Sequence, residues 1–200
     1  MKNVVLYIHG KDGNAEEAIH YKSLYQDSEV IGLDYTAKTP WEAKEEFPRL
    51  VDSICREYKS VTVIANSIGA FFTMNALADY PIEKAYFISP IVNMEKLIAD
   101  MIMWAGVTEE ELHEKGIIET EFGETLSWEY LCYVREHPIK WTAPTHILYG
   151  DKDNLTSLET ITEFANHMGA TLTVMENGEH WFHTEEQMLF LDNWMRNYIR

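Results

Sequence analysis

Cysteine is scarce in this chain of 200 residues, with only Cys55 and Cys132 present. Two thiols without a CxxC partner and without histidines at zinc-ligand spacing exclude a disulfide scaffold and a zinc ribbon. They suit a reducing compartment, and the expected location is the cytoplasm. Pro and Gly together number only 16, as 6 + 10, which excludes collagen and low-complexity chains. Positive charge is also short: 16 Lys and Arg face 33 Asp and Glu, leaving a net charge of −17. Such a field repels phosphate backbones and anionic headgroups, so neither nucleic acid nor a polybasic membrane contact is expected. No apolar run reaches the ~18 residues that a membrane span requires. The run Val4 to Ile8 is too short for a signal core, and no cleavage site follows it.

Six short runs are rich in apolar and β-branched residues. They are Val4–Ile8, Val30–Leu33, Val61–Ala65, Ala85–Ile88, His146–Tyr149 and Thr171–Met175. Each is nearly continuous rather than alternating, as strands buried on both faces of a parallel sheet read. Helical patterns lie between them. Candidate capping boxes are Asn14 with Glu17, Thr108 with Glu111, Thr156 with Glu159, and Thr184 with Gln187. Thr39 before Pro40 is a helix start. Pro81 ends a helix that opens at Ser67, and Gly169 caps one after Met168. Strand and helix in alternation predict a single doubly wound α/β domain over residues 1–200, with a mostly parallel six-stranded sheet. Between Pro90 and Pro144 the pattern is helical only, over Met94–Gly106, Thr108–Gly116 and Thr125–Glu136. Residues 91–143 are therefore expected to form a helical cap insertion, the alternative being one crossover helix with a long loop.

The third run leads into Ala65-Asn66-Ser67-Ile68-Gly69 and then an apolar helix. A serine lifted above a sheet needs a sharp, strained turn, and only small residues fit two positions either side of it. The helix that follows directs its positive end at the serine. Ser67 also reads as a plain helix N-cap. With a strand before it and a helix after it, the pentapeptide resembles the nucleophile elbow of the α/β-hydrolase superfamily, with Ala65 where many members have Gly.

That resemblance implies an acid and a base later in the chain. Ile147-Leu148-Tyr149-Gly150-Asp151-Lys152-Asp153 matches the strand ending in Gly-x-x-Asp and makes Asp153 the candidate acid, with Asp151 as a neighbour that shapes the turn or substitutes for it. Glu176 to His183 contains the Gly-x-His pattern, which assigns the base to His180. His183 lies three residues on, and a metal pair of the two histidines is the competing reading. The segment Tyr7-Ile8-His9-Gly10-Lys11 resembles the His-Gly loop after the first core strand, so the backbone amides of Lys11 and Ile68 are the expected oxyanion hole. Gly10 and the residues around it also read as an ordinary turn, and Walker A and GxGxxG readings fail there; an EF-hand reading of the stretch from Asp151 fails because Leu155 stands where a ligand is required and no Gly follows.

The resemblance covers roughly residues 1–90 and 144–200 and implies a sheet lacking the two leading strands of larger members. Met101, Trp104 and Trp181 are candidate pocket residues, or equally core. The implied activity is hydrolysis of a small, partly apolar ester or thioester through an acyl-serine, with no metal or organic cofactor and a small-molecule acyl substrate as partner. A non-catalytic binding protein on the same fold and a nucleotide-binding α/β domain are the rivals. The composition leaves the oligomeric state open.

Overall fold

The computed structural model describes residues 2–199. Six strands form one sheet: β1 (Asn3–Ile8), β2 (Ser28–Gly32), β3 (Ser60–Asn66), β4 (Ile82–Ile88), β7 (Thr145–Gly150) and β8 (Thr171–Met175). Their order is β2-β1-β3-β4-β7-β8, and every neighbouring pair is parallel. All six apolar runs are therefore strands of one sheet. The outer strand β8 departs from the expected two-sided burial, because as an edge it leaves Val174 exposed.

The sheet is covered on both faces, which is why its central strands are apolar throughout. Val5, Tyr7, Ile64, Tyr86, Ile88 and Leu148 point to one side. They pack with Ala18 and Tyr21 of a 3-10 helix (Ala15–Ser23) and with Leu191, Trp194 and Met195 of α7 (Glu185–Tyr198). The alternate residues Leu6, Ile8, Val63, Ala65 and Phe87 are equally buried. On their side lie α1 (Pro40–Glu57) and α2 (Ile68–Ala76), which touch each other through Phe47 and Phe72, with ring centroids 6.4 Å apart. In α1 the buried residues Pro40, Ala43, Phe47 and Val51 recur every three or four positions, the spacing of one helix face. The last helix of this part, α6 (Leu158–Met168), ends in Gly169 at φ 65.

Local signals were mostly sufficient to place the helix ends. Capping boxes form at Asn14 with Glu17, Thr108 with Glu111 and Thr184 with Gln187, and another at Thr39 with Glu42. Two expectations shift. The cap of α6 is Ser157, whose hydroxyl accepts from the Thr160 amide, and not Thr156. Thr156 is instead buried, its carbonyl accepting from the Tyr149 hydroxyl at 2.7 Å. Helix α2 ends at Ala76, ahead of Pro81, because Leu77 leaves the helix and a Leu77–Tyr80 turn follows.

The chain divides into two compact units, one made of residues 1–92 and 140–200, the other of residues 93–139. The second unit contains α3 (Met94–Trp104), α4 (Glu109–Lys115), α5 (Trp128–Glu136) and a hairpin of β5 (Ile117–Glu119) with β6 (Thr125–Ser127). Arg135 ties it together, pairing with Glu95 at 2.7 Å and Glu109 at 2.6 Å. The hairpin corrects the all-helical reading of this stretch. Its strands are three residues long, too short for periodicity to register. Thr125–Ser127, read as the start of a helix, is a strand, and Ser127 is the cap of α5.

Candidate active site

Ser67 stands between β3 and α2 with φ 50 and ψ −122. A non-glycine residue in that region is strained by about 1–3 kcal/mol and persists only where its surroundings enforce it. Enforcement is visible: the Ser67 amide donates to the Ile88 carbonyl at 3.0 Å, and its own carbonyl accepts from Ala70 and Ile91. Ser67 makes no side-chain cap bond to α2. Ser67 thus holds the N-cap position of α2 without capping it through its side chain, and its hydroxyl is available for another partner. The turn is tight because Gly69 lies against β1. A Cβ there would sit 2.2 Å from the His9 carbonyl oxygen.

The partner is His180. Its Nε2 is 2.8 Å from Ser67 Oγ, and its Nδ1 is 2.7 Å from Asp153 Oδ2. A carboxylate only accepts, so the neutral ring carries its proton on Nδ1 and donates it to Asp153; Nε2 is then the acceptor of the Ser67 hydroxyl. The Asp153 side chain is 0% exposed and that of His180 16%. Burial of a carboxylate is costly unless its oxygens are satisfied. Here Oδ1 accepts from the amides of Leu155 at 2.8 Å and Thr156 at 3.0 Å, leaving Oδ2 for the imidazole.

The loops after β7 and β8 hold Asp153 and His180 in register. Asp151 accepts from the Asn177 amide at 2.7 Å, and the Lys152 amide donates to Gly178 at 2.8 Å. Asp151 thus braces the turn and does not reach the ring. His183 is turned elsewhere: its Nδ1 donates to the Trp181 carbonyl at 2.7 Å, and its ring stacks on that of Trp181. Among the described residues no group of three His, Cys, Asp or Glu is placed to hold a metal ion.

Beside the serine is a cavity of about 860 Å³, lined by residues of the first unit. Gly10, Lys11, Ser67, His180 and Trp181 belong to its wall. Gly10 is in van der Waals reach of Ser67: a Cβ on it would lie 3.2 Å from the Ser67 Cβ. Lys11 follows directly, in a turn closed by the Gly13 amide on the Gly10 carbonyl. Ile68 supplies the first residue of α2. Of the three expected pocket residues, Trp181 lines the cavity and is 71% exposed. Met101 and Trp104 belong to the second unit.

Sequence reasoning missed a polar group on the same wall. Asn66 Nδ2 donates to the Tyr7 hydroxyl at 2.9 Å, and that hydroxyl donates to Glu17 Oε2. Burial, together with Tyr21 and Glu17 nearby, pushes the Tyr7 phenol well above its ordinary range. A tyrosine inside an otherwise apolar strand needs a partner for its hydroxyl, and that was the available signal. Behind the turn, the Tyr35 hydroxyl donates to the His9 carbonyl at 2.7 Å while its ring stacks on His9.

Solved structures share this architecture. Alpha/beta hydrolase domain-containing protein 10 from mouse aligns at TM-score 0.78 and 15% identity, over 98% of this chain and 89% of its own. Est1E from Butyrivibrio proteoclasticus aligns at TM-score 0.77 and 14% identity, over 99% and 87%. The fold is that of the α/β hydrolases. A thioesterase domain from the curacin biosynthetic pathway aligns at TM-score 0.59 and 14% identity, over 97% of this chain and 91% of its own. No protein-family model matches the sequence, and no curated protein matches it. At such identities the likeness concerns the α/β-hydrolase fold, and chemistry must be argued from the side chains. None of the described helices is long and apolar enough to cross a membrane.

Proposed function

We propose that the chain is a serine hydrolase that cleaves a carboxylic ester or thioester of a small, partly apolar substrate. The observation that carries this reading is the series Ser67–His180–Asp153, joined by bonds of 2.8 and 2.7 Å on a serine held at positive φ. Ser67 Oγ attacks the acyl carbon, and its proton passes to His180 Nε2. Asp153 holds the ring in the required tautomer and stabilises its cation. The bond from the acyl carbon to the leaving oxygen or sulfur then breaks, and the leaving atom takes the proton from His180. Water next attacks the acyl-serine, giving its proton to His180, which returns it to Ser67 as the carboxylic acid departs.

The amides of Lys11 and Ile68 serve as donors to the tetrahedral oxyanion. Loss of one such donor costs about 3 kcal/mol in the transition state. Trp181 forms part of the acyl pocket. Solution of Est1E from Butyrivibrio proteoclasticus with ferulic acid bound supports a small-molecule substrate on this fold. The two unpaired cysteines accord with a cytoplasmic protein.

The test is a panel of chromogenic esters and thioesters of graded acyl length, run with the wild type and Ser67→Ala. Turnover that disappears in the variant supports the reading. Equal rates in both proteins, or none in the wild type, would leave a binding protein on a hydrolase fold.

A further inference from the structure

The cavity wall is lopsided in charge. Among the described residues that line it, Lys11 is the only lysine or arginine, while Asp12 and Glu17 both contribute carboxylates. Glu17 is fixed in place. Oε2 accepts the Tyr7 hydroxyl, Oε1 accepts the Asn14 amide at 3.2 Å, and Gly13 packs so closely that a Cβ on it would lie 2.9 Å from Oε1. A carboxylate has about four lone-pair sites over its two oxygens, and these two donors occupy only part of that capacity. The remainder belongs to an exposed side chain on the cavity wall. Tyr7 in turn accepts from Asn66, the residue before Ser67, so the charge stands two hydrogen bonds from the nucleophile's neighbour.

We propose that Glu17 is a specificity-determining residue, selecting esters and thioesters whose leaving group is neutral or cationic and disfavouring phosphate-bearing carriers. This inference rests on the serine-hydrolase reading and narrows its substrate class. A preorganised negative charge raises the energy of an approaching polyanion and lowers that of a cation or an N–H donor. The net charge of −17 adds the same bias at long range. The fixed geometry matters because Glu17 cannot swing away without breaking both its capping bond and its bond to Tyr7.

Three thioesters with the same acyl group and the same scissile C–S bond separate charge from chemistry. Their thiols are thiocholine (cationic), N-acetylcysteamine (neutral) and coenzyme A (anionic). Rates are compared as kcat/KM ratios to the neutral compound, so any general loss in a variant cancels. The wild type is expected to favour the choline thioester over the coenzyme A thioester, with the coenzyme A rate rising as salt is added.

Glu17→Gln removes the charge, while its amide oxygen can still accept from the Asn14 amide and its NH₂ can donate to the Tyr7 hydroxyl. It should lower the choline-to-coenzyme A ratio by at least about threefold, the effect of removing one unit charge from the cavity wall at a near-aqueous effective dielectric. Glu16→Gln removes the same charge one position away, outside this cavity, and should shift the ratio by less than about twofold. Ser67-dependent turnover with the coenzyme A thioester preferred, or with the ratio unmoved by Glu17→Gln, overturns this inference and leaves the hydrolase reading standing. Turnover of none of the three, or turnover unaffected by Ser67→Ala, overturns both.

Discussion

Gly150 and Gly178 meet backbone to backbone: a Cβ on Gly150 would lie 2.3 Å from the carbonyl carbon and oxygen of Gly178. That contact joins the loop carrying Asp153 to the loop carrying His180. It leaves room for the Lys152 amide to reach the Gly178 carbonyl at 2.8 Å. Gly150→Ala is therefore expected to push the two loops apart. Overpacking of this kind costs about 1–3 kcal/mol, and an imidazole displaced by 1 Å loses about 100-fold in rate. Thermal melting and kcat on a chromogenic ester measure the two effects together.

Ser67 stores strain that glycine would release. Ser67→Gly and Ser67→Ala both remove the hydroxyl bonded to His180, so their difference isolates the backbone. Alanine keeps a Cβ at φ 50 and glycine does not. The glycine variant is expected to be more stable than the alanine variant by about 1 kcal/mol, after allowing for glycine's greater freedom when unfolded. Denaturant unfolding of the pair checks this, and both variants should be inactive.

Asp153→Asn tests the tautomer. The amide still offers an oxygen to Leu155 and Thr156, but its NH₂ facing the ring favours a proton on Nε2, pointing at Ser67. A fall in kcat of about 10³- to 10⁴-fold is expected. Because the oxygen bonded to the loop amides survives, the loss of stability should stay small. Kinetics and melting measured on one preparation separate the two.

His146 ties stability to pH away from the site. Its ring lies between Tyr86 and Tyr198, with centroids 5.4 Å and 4.0 Å away, and Nδ1 is 2.6 Å from Thr171 Oγ1. Burial, and secondarily the Lys84 ammonium, hold its pKa below the ordinary value. Below an unfolded value of about 6.5, the unfolded chain thus binds more protons than the folded one. Stability is full above that pH and falls as pH drops from there to the lower folded value. Melting temperatures from pH 8 to pH 5 should decline, and His146→Gln should flatten the decline.

The sheet was legible because its strands are buried on both faces and read as unbroken apolar runs. The tight turn at Ser67 was legible because small residues must flank a serine there, as Ala65 and Gly69 do. What stayed hidden depends on contacts distant in sequence. Glu17 reads as the third residue of a capping box, and nothing local says that its other oxygen meets Tyr7. The Gly-x-x-Asp pattern favours Asp153 over Asp151, but that Asp151 instead accepts from the Asn177 amide shows only in the fold. The Ile117–Ser127 hairpin escaped because three residues per strand carry no period.

The most direct test is labelling with a fluorophosphonate, followed by intact-mass measurement and peptide mapping. One equivalent of phosphonyl group on Ser67, absent in Ser67→Ala and strongly slowed in His180→Ala, is the result expected of a serine activated by its neighbours. A folded wild type that stays unlabelled at reagent excess, or that labels at the same rate without the imidazole, would contradict the account.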